Sequence, residues 1–177
     1  MQPRIPRQQA QELQEQGAHR AESDVRLSPE LAAVVAGARR RAVRDGDRQI
    51  DTAHLLHSLL ESDADVRALF GEGPRIARLL GYLVQRSIGY GLRWQGAVED
   101  SGGVPVVTEA GGLSPLAAGC MENAHGRAAR HGGHPAGVTD LLAAIVVDPR
   151  SRAVEVLERA GIDPHELFAR LEASSSR

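Results

Sequence analysis

Residues 27–60 read LSPELAAVVAGARRRAVRDGDRQIDTAHLLHSLL, and residues 113–146 read LSPLAAGCMENAHGRAARHGGHPAGVTDLLAAIV. The two stretches align without a gap, and eleven of the 34 aligned positions carry the same residue. A self-similarity of this length indicates two copies of one supersecondary unit rather than a helix or strand period. Tandem copies of this kind usually pack face to face and leave a groove between them. The duplication therefore favours a binding function over a catalytic one.

Each copy carries residues that begin a helix. Ser28 and Ser114 are suited to the N-cap position, and the proline after each of them fits the first helical turn. Apolar residues then recur at helical spacing, so we expect one buried stripe in each copy. The stripes are Val34, Val35 and Ala38 in the first copy and Cys120, Met121 and Ala124 in the second. The pattern continues over four helices in each copy, and we expect Thr52 to cap the second of them.

The sequence therefore predicts an all-α fold, in which two tandem four-helix repeats are related by a pseudo-twofold axis. The predicted segments are a flexible N-terminal arm (1–26), a first repeat (27–88), a linker (89–112), a second repeat (113–173) and a frayed tail (174–177). The linker is long for a connection between helical units. It contains two extended-looking stretches around Ser101-Gly102-Gly103, a pattern compatible with a small β-hairpin.

The amino-acid composition excludes several classes of function. The net charge is −2, so no overall basic field points to nucleic acid. The chain contains no lysine, which excludes Schiff-base chemistry and a phosphate-binding loop. The single cysteine, Cys120, excludes an internal disulfide and suits a reducing compartment. The sequence shows no apolar run of membrane-spanning length and no apolar signal core. We therefore expect a cytoplasmic protein that binds neither membranes nor nucleic acid.

Candidate catalytic and metal-binding groups are few. His54 and His57 lie three positions apart, a spacing at which two histidines on one helix face can share a metal ion. No aspartate or glutamate completes an obvious ligand set with them. Ser28, Asp51 and His54 match a hydrolytic triad by residue type, but Ser28 serves better as a helix cap. We therefore expect no metal, no cofactor and no enzymatic activity.

These residues resemble a known family, the N-terminal domain of the Clp/Hsp100 unfoldases, especially of the ClpC type. Each half of that domain begins with a motif similar to Leu27-Ser28-Pro29 and Leu113-Ser114-Pro115. The family segment Ile-Gly-Thr-Glu-His-Leu-Leu reads IDTAHLL at residues 50–56. Ile88-Gly89-Tyr90-Gly91 resembles the motif that closes the family's first half. The resemblance covers about residues 27–172 and implies a stand-alone N-domain, since the phosphate loop of the ATPase modules is absent.

The resemblance also implies a binding pocket. In the family, an aromatic residue that opens each half helps to bind adaptors and certain cyclic-peptide antibiotics. The matching positions here are Leu27 and Leu113, and Glu122 matches a polar residue that lines the same pocket. The resemblance therefore implies a pocket with altered selectivity.

Some members of the family recognise phosphorylated arginine through the glutamate of each Thr-Glu-His motif. Ala53 stands at that position in the first repeat. In the second repeat, Asp140 replaces the glutamate if Thr139 caps the helix, and it replaces the histidine if the two copies align without a gap. A carboxylate at this position would pair with the guanidinium group of the ligand. We therefore expect at most one of the two carboxylates that the family uses to bind phosphoarginine, the one in the second repeat.

Two binding functions fit these features. The first is a module that docks adaptor or substrate proteins of a Clp-type proteolytic system. The second is a sequestering or immunity protein that captures a cyclic peptide or another small peptide in the inter-repeat groove. In both, Leu27 and Leu113 would supply apolar area and Glu122 would fix the orientation of the ligand. The alternative is that both leucines only staple their helix starts to the core. Their solvent exposure distinguishes these interpretations.

Overall fold

The computed structural model describes residues 27–87, Glu99 and residues 112–175. The described residues form eight helices and two single-residue parallel bridges, which confirms the all-α fold class. The helices of the first repeat are α1 (Pro29–Asp45), α2 (Thr52–Ser62), α3 (Ala64–Leu69) and α4 (Pro74–Ser87). The helices of the second repeat are α5 (Pro115–Arg130), α6 (Val138–Val146), α7 (Arg152–Arg159) and α8 (Pro164–Ser175).

The two Ser-Pro pairs begin α1 and α5, as the sequence predicts. The Ser28 hydroxyl oxygen accepts a hydrogen bond from the Leu31 N–H at 3.1 Å, and the Ser114 oxygen accepts one from the Ala117 N–H at 3.1 Å. Each bond satisfies a first-turn N–H that has no acceptor within its own helix. Helix α1 ends at Asp45, and the next residue, Gly46, has a φ of 73° in the left-handed region that terminates helices.

The start of α2 corrects the prediction by one residue. Thr52 is the first helical residue and Asp51 is the N-cap, with its Oδ1 atom accepting the His54 N–H at 2.9 Å. The Nδ1 atom of His54 accepts the Asp51 N–H at 3.1 Å, which completes a reciprocal capping box. A carboxylate is favoured at this position because it also interacts with the positive end of the helix dipole. The prediction that Thr52 caps α2 is therefore wrong.

The two repeats share one hydrophobic core. Helix α1 packs on α2 and α5 packs on α6, while α2 also contacts α6 and α7 of the other repeat. The predicted stripes of α1 and α5 face this core, with one exception. Val35 is only half-buried, because its neighbours one turn away on either side, Ala32 and Arg39, are exposed and place it at the edge of the stripe.

The first residue of each repeat pairs with the backbone of the other repeat. Leu27 forms a parallel bridge with Ala136 of the second repeat, and Leu113 forms one with Ile50 of the first. At the second bridge, the Ser114 N–H donates to the Ile50 carbonyl at 2.8 Å. The two bridges occupy equivalent positions in the two copies, as pseudo-twofold symmetry requires. We call them the Leu27–Ala136 seam and the Ile50–Leu113 seam.

Two predicted segments lie almost wholly outside the described residues. These are the arm at 1–26 and the linker with its β-hairpin, of which Glu99 and Gly112 are described. Helix α8 continues through Ser175, so it includes the first two residues of the predicted tail at 174–177, and residues 176–177 lie outside the described part of the chain. The hydroxyls of Ser174 and Ser175 donate to the Leu171 carbonyl at 2.8 and 3.0 Å, which satisfies an acceptor in the last turn. Across the described residues, every helix is too short or too polar to cross a bilayer.

A charge placed in the shared core should unfold the protein. Leu55 and Leu141 are fully buried, so Leu55→Asp or Leu141→Asp leaves an unpaired carboxylate in apolar surroundings. We expect either change to lower the free energy of unfolding by roughly 3–5 kcal/mol in urea denaturation. Val43→Asp is the control, because Val43 is 72% exposed. Wild-type stability of the Leu141→Asp variant would contradict the shared core.

Candidate functional site

A buried carboxylate from the linker joins the two repeats. Glu99 is 4% exposed, and its oxygens accept hydrogen bonds from the backbone N–H groups of Thr52 and Arg152, each at 2.8 Å. The Ser114 hydroxyl donates a third hydrogen bond to Glu99 at 2.9 Å. Thr52 and Arg152 are the first residues of α2 and α7, so this carboxylate serves one helix start from each repeat. The arrangement is favourable because helix N-termini present unpaired N–H groups and a positive dipole end.

Further buried polar groups surround Glu99. The Thr52 hydroxyl contacts Glu99 and accepts hydrogen bonds from the Ala153 N–H and the Ser151 hydroxyl, both at 3.1 Å. The second oxygen of Asp51 accepts a hydrogen bond from Arg152 at 2.9 Å. We call the six buried residues of this network the junction cluster: Asp51, Thr52, Glu99, Ser114, Ser151 and Arg152. Its bonds link the first repeat, the linker and the second repeat, so it acts as a structural joint.

The two predicted anchor residues lie at the two seams. Leu27 and Leu113 are both half-buried and both pack against the core. Each leucine therefore packs the start of its helix against the core, as expected if the leucines only have a structural role. Each also keeps part of its apolar surface exposed to solvent, as a binding role requires. The two interpretations are compatible at these positions.

The two predicted charged residues have different surroundings. Glu122 lies on the exposed face of α5. Asp140 is 4% exposed, and its Oδ2 atom accepts the Gly137 N–H at 3.0 Å. Its Oδ1 atom lies 3.3 Å from Nε of Arg127. The structure therefore places Glu122 at the surface and uses Asp140 at the start of α6.

The register of the two repeats decides which family position Asp140 occupies. Helices α2 and α6 start at equivalent positions, so the copies align without a gap and Asp140 takes the place of His54. The position of the family's glutamate then falls on Ala53 and Thr139. Ala53 is fully buried and Thr139 is half-buried. Neither repeat carries a carboxylate there.

Two potentially reactive side chains are held in unreactive forms. Burial, with the Arg41 charge as the second cause, lowers the pKa of His57 from 6.5 to about 4. His57 is therefore neutral at physiological pH. Burial raises the pKa of Cys120 from 9.0 to about 12, so this thiol stays protonated. Because the thiolate is the nucleophilic form, Cys120 is a structural residue of the core.

Sequence reasoning missed two features of this chain. Glu99 carries no local signal, because a lone glutamate in a linker fits any exposed loop. The second feature is a set of three side chains, Asp45, Asp47 and His54, whose donor atoms all lie within 4.8 Å of one another. A search for paired histidines did not find this set. The turn after α1 brings the two carboxylates to the histidine.

Removal of the Glu99 carboxylate should loosen the joint between the repeats. In Glu99→Ala, the N–H groups of Thr52 and Arg152 lose their acceptor in a buried place. We expect the free energy of unfolding to fall by about 2–4 kcal/mol, measured by urea denaturation. Glu122→Ala is the matched control, because it removes an exposed carboxylate and should cost less than about 0.5 kcal/mol. Equal stability of the two variants would argue against the joint.

The depressed pKa of His57 predicts a loss of stability in mild acid. Between pH 6.5 and about 4 the unfolded chain binds a proton at His57 that the folded chain does not bind. The free energy of unfolding should therefore fall as the pH is lowered through this window, by up to about 1.4 kcal/mol per pH unit. His57→Gln should remove this component from the urea midpoints. His165→Gln, at a side chain that is 99% exposed, should keep the wild-type profile.

Comparison with known proteins identifies the fold. No family model and no curated protein matches the chain. The crystal structure of the N-terminal domain of the Caseinolytic protease associated chaperone ClpD from Arabidopsis thaliana matches with a TM-score of 0.64 at 20% identity, covering 86% of this chain and 96% of that one. A chain from structural investigations of a malarial protein secretion system matches with a TM-score of 0.62 at 15% identity, covering 85% and 95%. The chain thus has the fold of a Clp/Hsp100 chaperone N-terminal domain.

Proposed function

We propose that this chain is a non-catalytic module that binds proteins or peptides, and that it docks adaptors or substrates of a Clp-type proteolytic system in the cytoplasm. The observation that carries the proposal is the fold, which matches the ClpD N-terminal domain over nearly its whole length.

The proposed docking surface consists of the two seams and the exposed face of α5. Leu27 and Leu113 offer apolar surface at the seams, and Glu122 offers a carboxylate on the helix that begins two residues after Leu113. Apolar area of this kind supplies affinity, and a charged group on the same surface selects the orientation of the ligand. A partner that presents an apolar side chain close to a basic group matches this surface.

A second candidate function is the capture of a cyclic peptide or another small peptide by a sequestering or immunity protein. The observation that favours it is the partial burial of both leucines. Two half-buried leucines expose less apolar surface than the core of a standard protein–protein interface, which needs many residues on each side. A small apolar patch suits a small ligand.

Phosphoarginine is not among the proposed ligands. Neither repeat has a carboxylate at the position of the family's glutamate, and the side chain of Asp140 is used at the start of α6. Calorimetry with free phosphoarginine should therefore detect weak binding or none. Tight binding by the unmodified chain would contradict this assignment. We do not expect Ala53→Glu to create phosphoarginine binding in the first repeat. Ala53 is fully buried, so the new carboxylate would lie unpaired in the core.

Shortening the side chain of Leu113 should weaken partner binding more than an equally destabilising change elsewhere in the chain does. We expect Leu113→Ala to weaken the binding of a captured partner by about 1–2 kcal/mol, because it removes apolar contact at the Ile50–Leu113 seam. Leu80→Ala is the matched control, since Leu80 is also half-buried against the core but lies on α4. The control should lose a similar amount of stability and retain binding. Equal binding by all three proteins would remove Leu113 from the docking surface.

Two measurements distinguish the candidate functions. Affinity capture from lysate with the wild-type chain, the Leu113→Ala variant and the Leu80→Ala control should recover Clp subunits, adaptors or protease substrates that Leu113→Ala loses. Calorimetry with cyclic peptides that bind Clp N-terminal domains tests the second candidate. Micromolar or tighter peptide binding without any captured Clp component would favour peptide capture. Failure of both measurements would exclude both functions.

A further inference from the structure

The imidazole of His54 lies against two carboxylates from the turn after α1. Its Nε2 atom lies 3.0 Å from Oδ2 of Asp47 and 3.6 Å from Oδ2 of Asp45. Ligand atoms at about 2.1 Å from one metal ion are separated by about 3.0–3.5 Å in octahedral or tetrahedral geometry. The separation from Asp47 falls within this range, the one from Asp45 lies just above it, and the three ligand atoms all lie within 4.8 Å of one another.

The burial of these groups also points to a cation. The side chain of His54 is 1% exposed, that of Asp45 is 6% exposed and that of Asp47 is 35% exposed. The Oδ1 atom of Asp45 is buried and makes no hydrogen bond with the described part of the chain. Its ionic neighbour is the largely exposed Arg44, at 3.6 Å. A buried carboxylate oxygen without a hydrogen bond is costly, and a bound cation would offset that cost.

The opposite side of the His54 ring carries the support that metal-bound histidines usually have. The Nδ1 atom lies 3.0 Å from Oδ1 of Asp51, and Arg152 holds the other oxygen of Asp51 at 2.9 Å. Histidine ligands commonly donate their second N–H to a carboxylate, which fixes the tautomer and the ring orientation. In the metal-free chain Nδ1 accepts the Asp51 N–H, so the ring proton lies on Nε2. When an ion binds at Nε2, the proton would move to Nδ1, where Oδ1 of Asp51 is close enough to accept it.

The second repeat provides an internal comparison. Asp140 holds the position of His54 there, and Gly133 holds the position of Asp47. Arg127 lies 3.3 Å from Asp140, so a cationic side chain already pairs with the carboxylate in that repeat. The combination of an imidazole and two carboxylates is therefore particular to the first repeat among the described residues.

We propose that Asp45, Asp47 and His54 bind a divalent transition-metal ion of the Zn²⁺ or Co²⁺ type, with Asp51 orienting the imidazole. Two carboxylates balance the charge of the ion. The imidazole nitrogen favours this class of metal over Ca²⁺ and Mg²⁺, which prefer oxygen ligands throughout. Three protein ligands leave a coordination position for water. The site is independent of the proposed docking surface, and its presence or absence does not decide the docking function.

Calorimetry on the metal-stripped full chain, with ZnCl₂ and CoCl₂ as probes, tests the proposal. We expect one ion per chain with micromolar or tighter affinity. Asp47→Asn should weaken binding at least about tenfold, since loss of groups that only support a ligand already costs 10- to 100-fold. Asp47 is the chosen position because its partial exposure spares the fold, and circular dichroism without metal checks this. His134→Ala is the control, because it removes an exposed histidine from the His-Gly-Gly-His segment of the second repeat, outside the proposed site.

Nitrogen-15 NMR of the histidine rings supplies a second readout. Zn²⁺ should move the proton of His54 from Nε2 to Nδ1 in the wild-type chain and leave it unmoved in Asp47→Asn. Binding that survives Asp47→Asn but is lost in His134→Ala would overturn the proposal. Absence of Zn²⁺ and Co²⁺ binding, or equal affinity for Ca²⁺, would also overturn it.

Discussion

The reciprocal pairing at the two seams is the interaction on which the rest of this structure depends. The segment that leads into α1 is bonded to the second repeat, and the segment that leads into α5 is bonded to the first. A single repeat of this kind exposes an apolar face that only its neighbour can cover. The carboxylate of Glu99 strengthens the same arrangement, because it binds the starts of α2 and α7 at once. The two repeats are therefore one folding unit.

The joint and the helix starts occupy most of the polar side chains that are buried among the described residues. Buried polar groups that look like candidate reactive residues are used to begin helices or to tie repeats together, as Asp51, Asp140 and Thr52 are. Cys120 and His57 are held in their neutral forms by burial. The apolar area at the seams and the exposed face of α5 lie outside the joint and reach the surface. A surface with apolar area and a carboxylate is suited to recognition.

The parts of the fold that sequence could predict are those with local causes. The Ser-Pro pairs begin α1 and α5 because the cap and the proline act within one turn, and the apolar stripes follow from helical spacing. The error at the start of α2 also has a local cause. Asp51 and Thr52 are both suited to the N-cap position, and Asp51 occupies it.

The other omissions depend on how distant parts of the chain fold. The position of Glu99 depends on residues 47 and 53 positions away, and the approach of Asp45 and Asp47 to His54 depends on a turn geometry that spacing alone does not specify. The sequence identifies Leu27 and Leu113 as the residues that open the two repeats, but their place at the seams could not be predicted, because the bridging partners lie in the other repeat.

Native-state hydrogen exchange at the seams tests the central claim, which is that each repeat completes the other. The decisive amides are those of Ile50 and Ser114, which bond across the Ile50–Leu113 seam at 2.9 and 2.8 Å. The account predicts that both amides exchange only through global unfolding, with the same opening free energy as the amides of Leu56 and Leu142 in the core helices. Exchange of the seam amides through a local opening, while both core helices remain protected, would show that the repeats are stable without the pairing and would contradict the account.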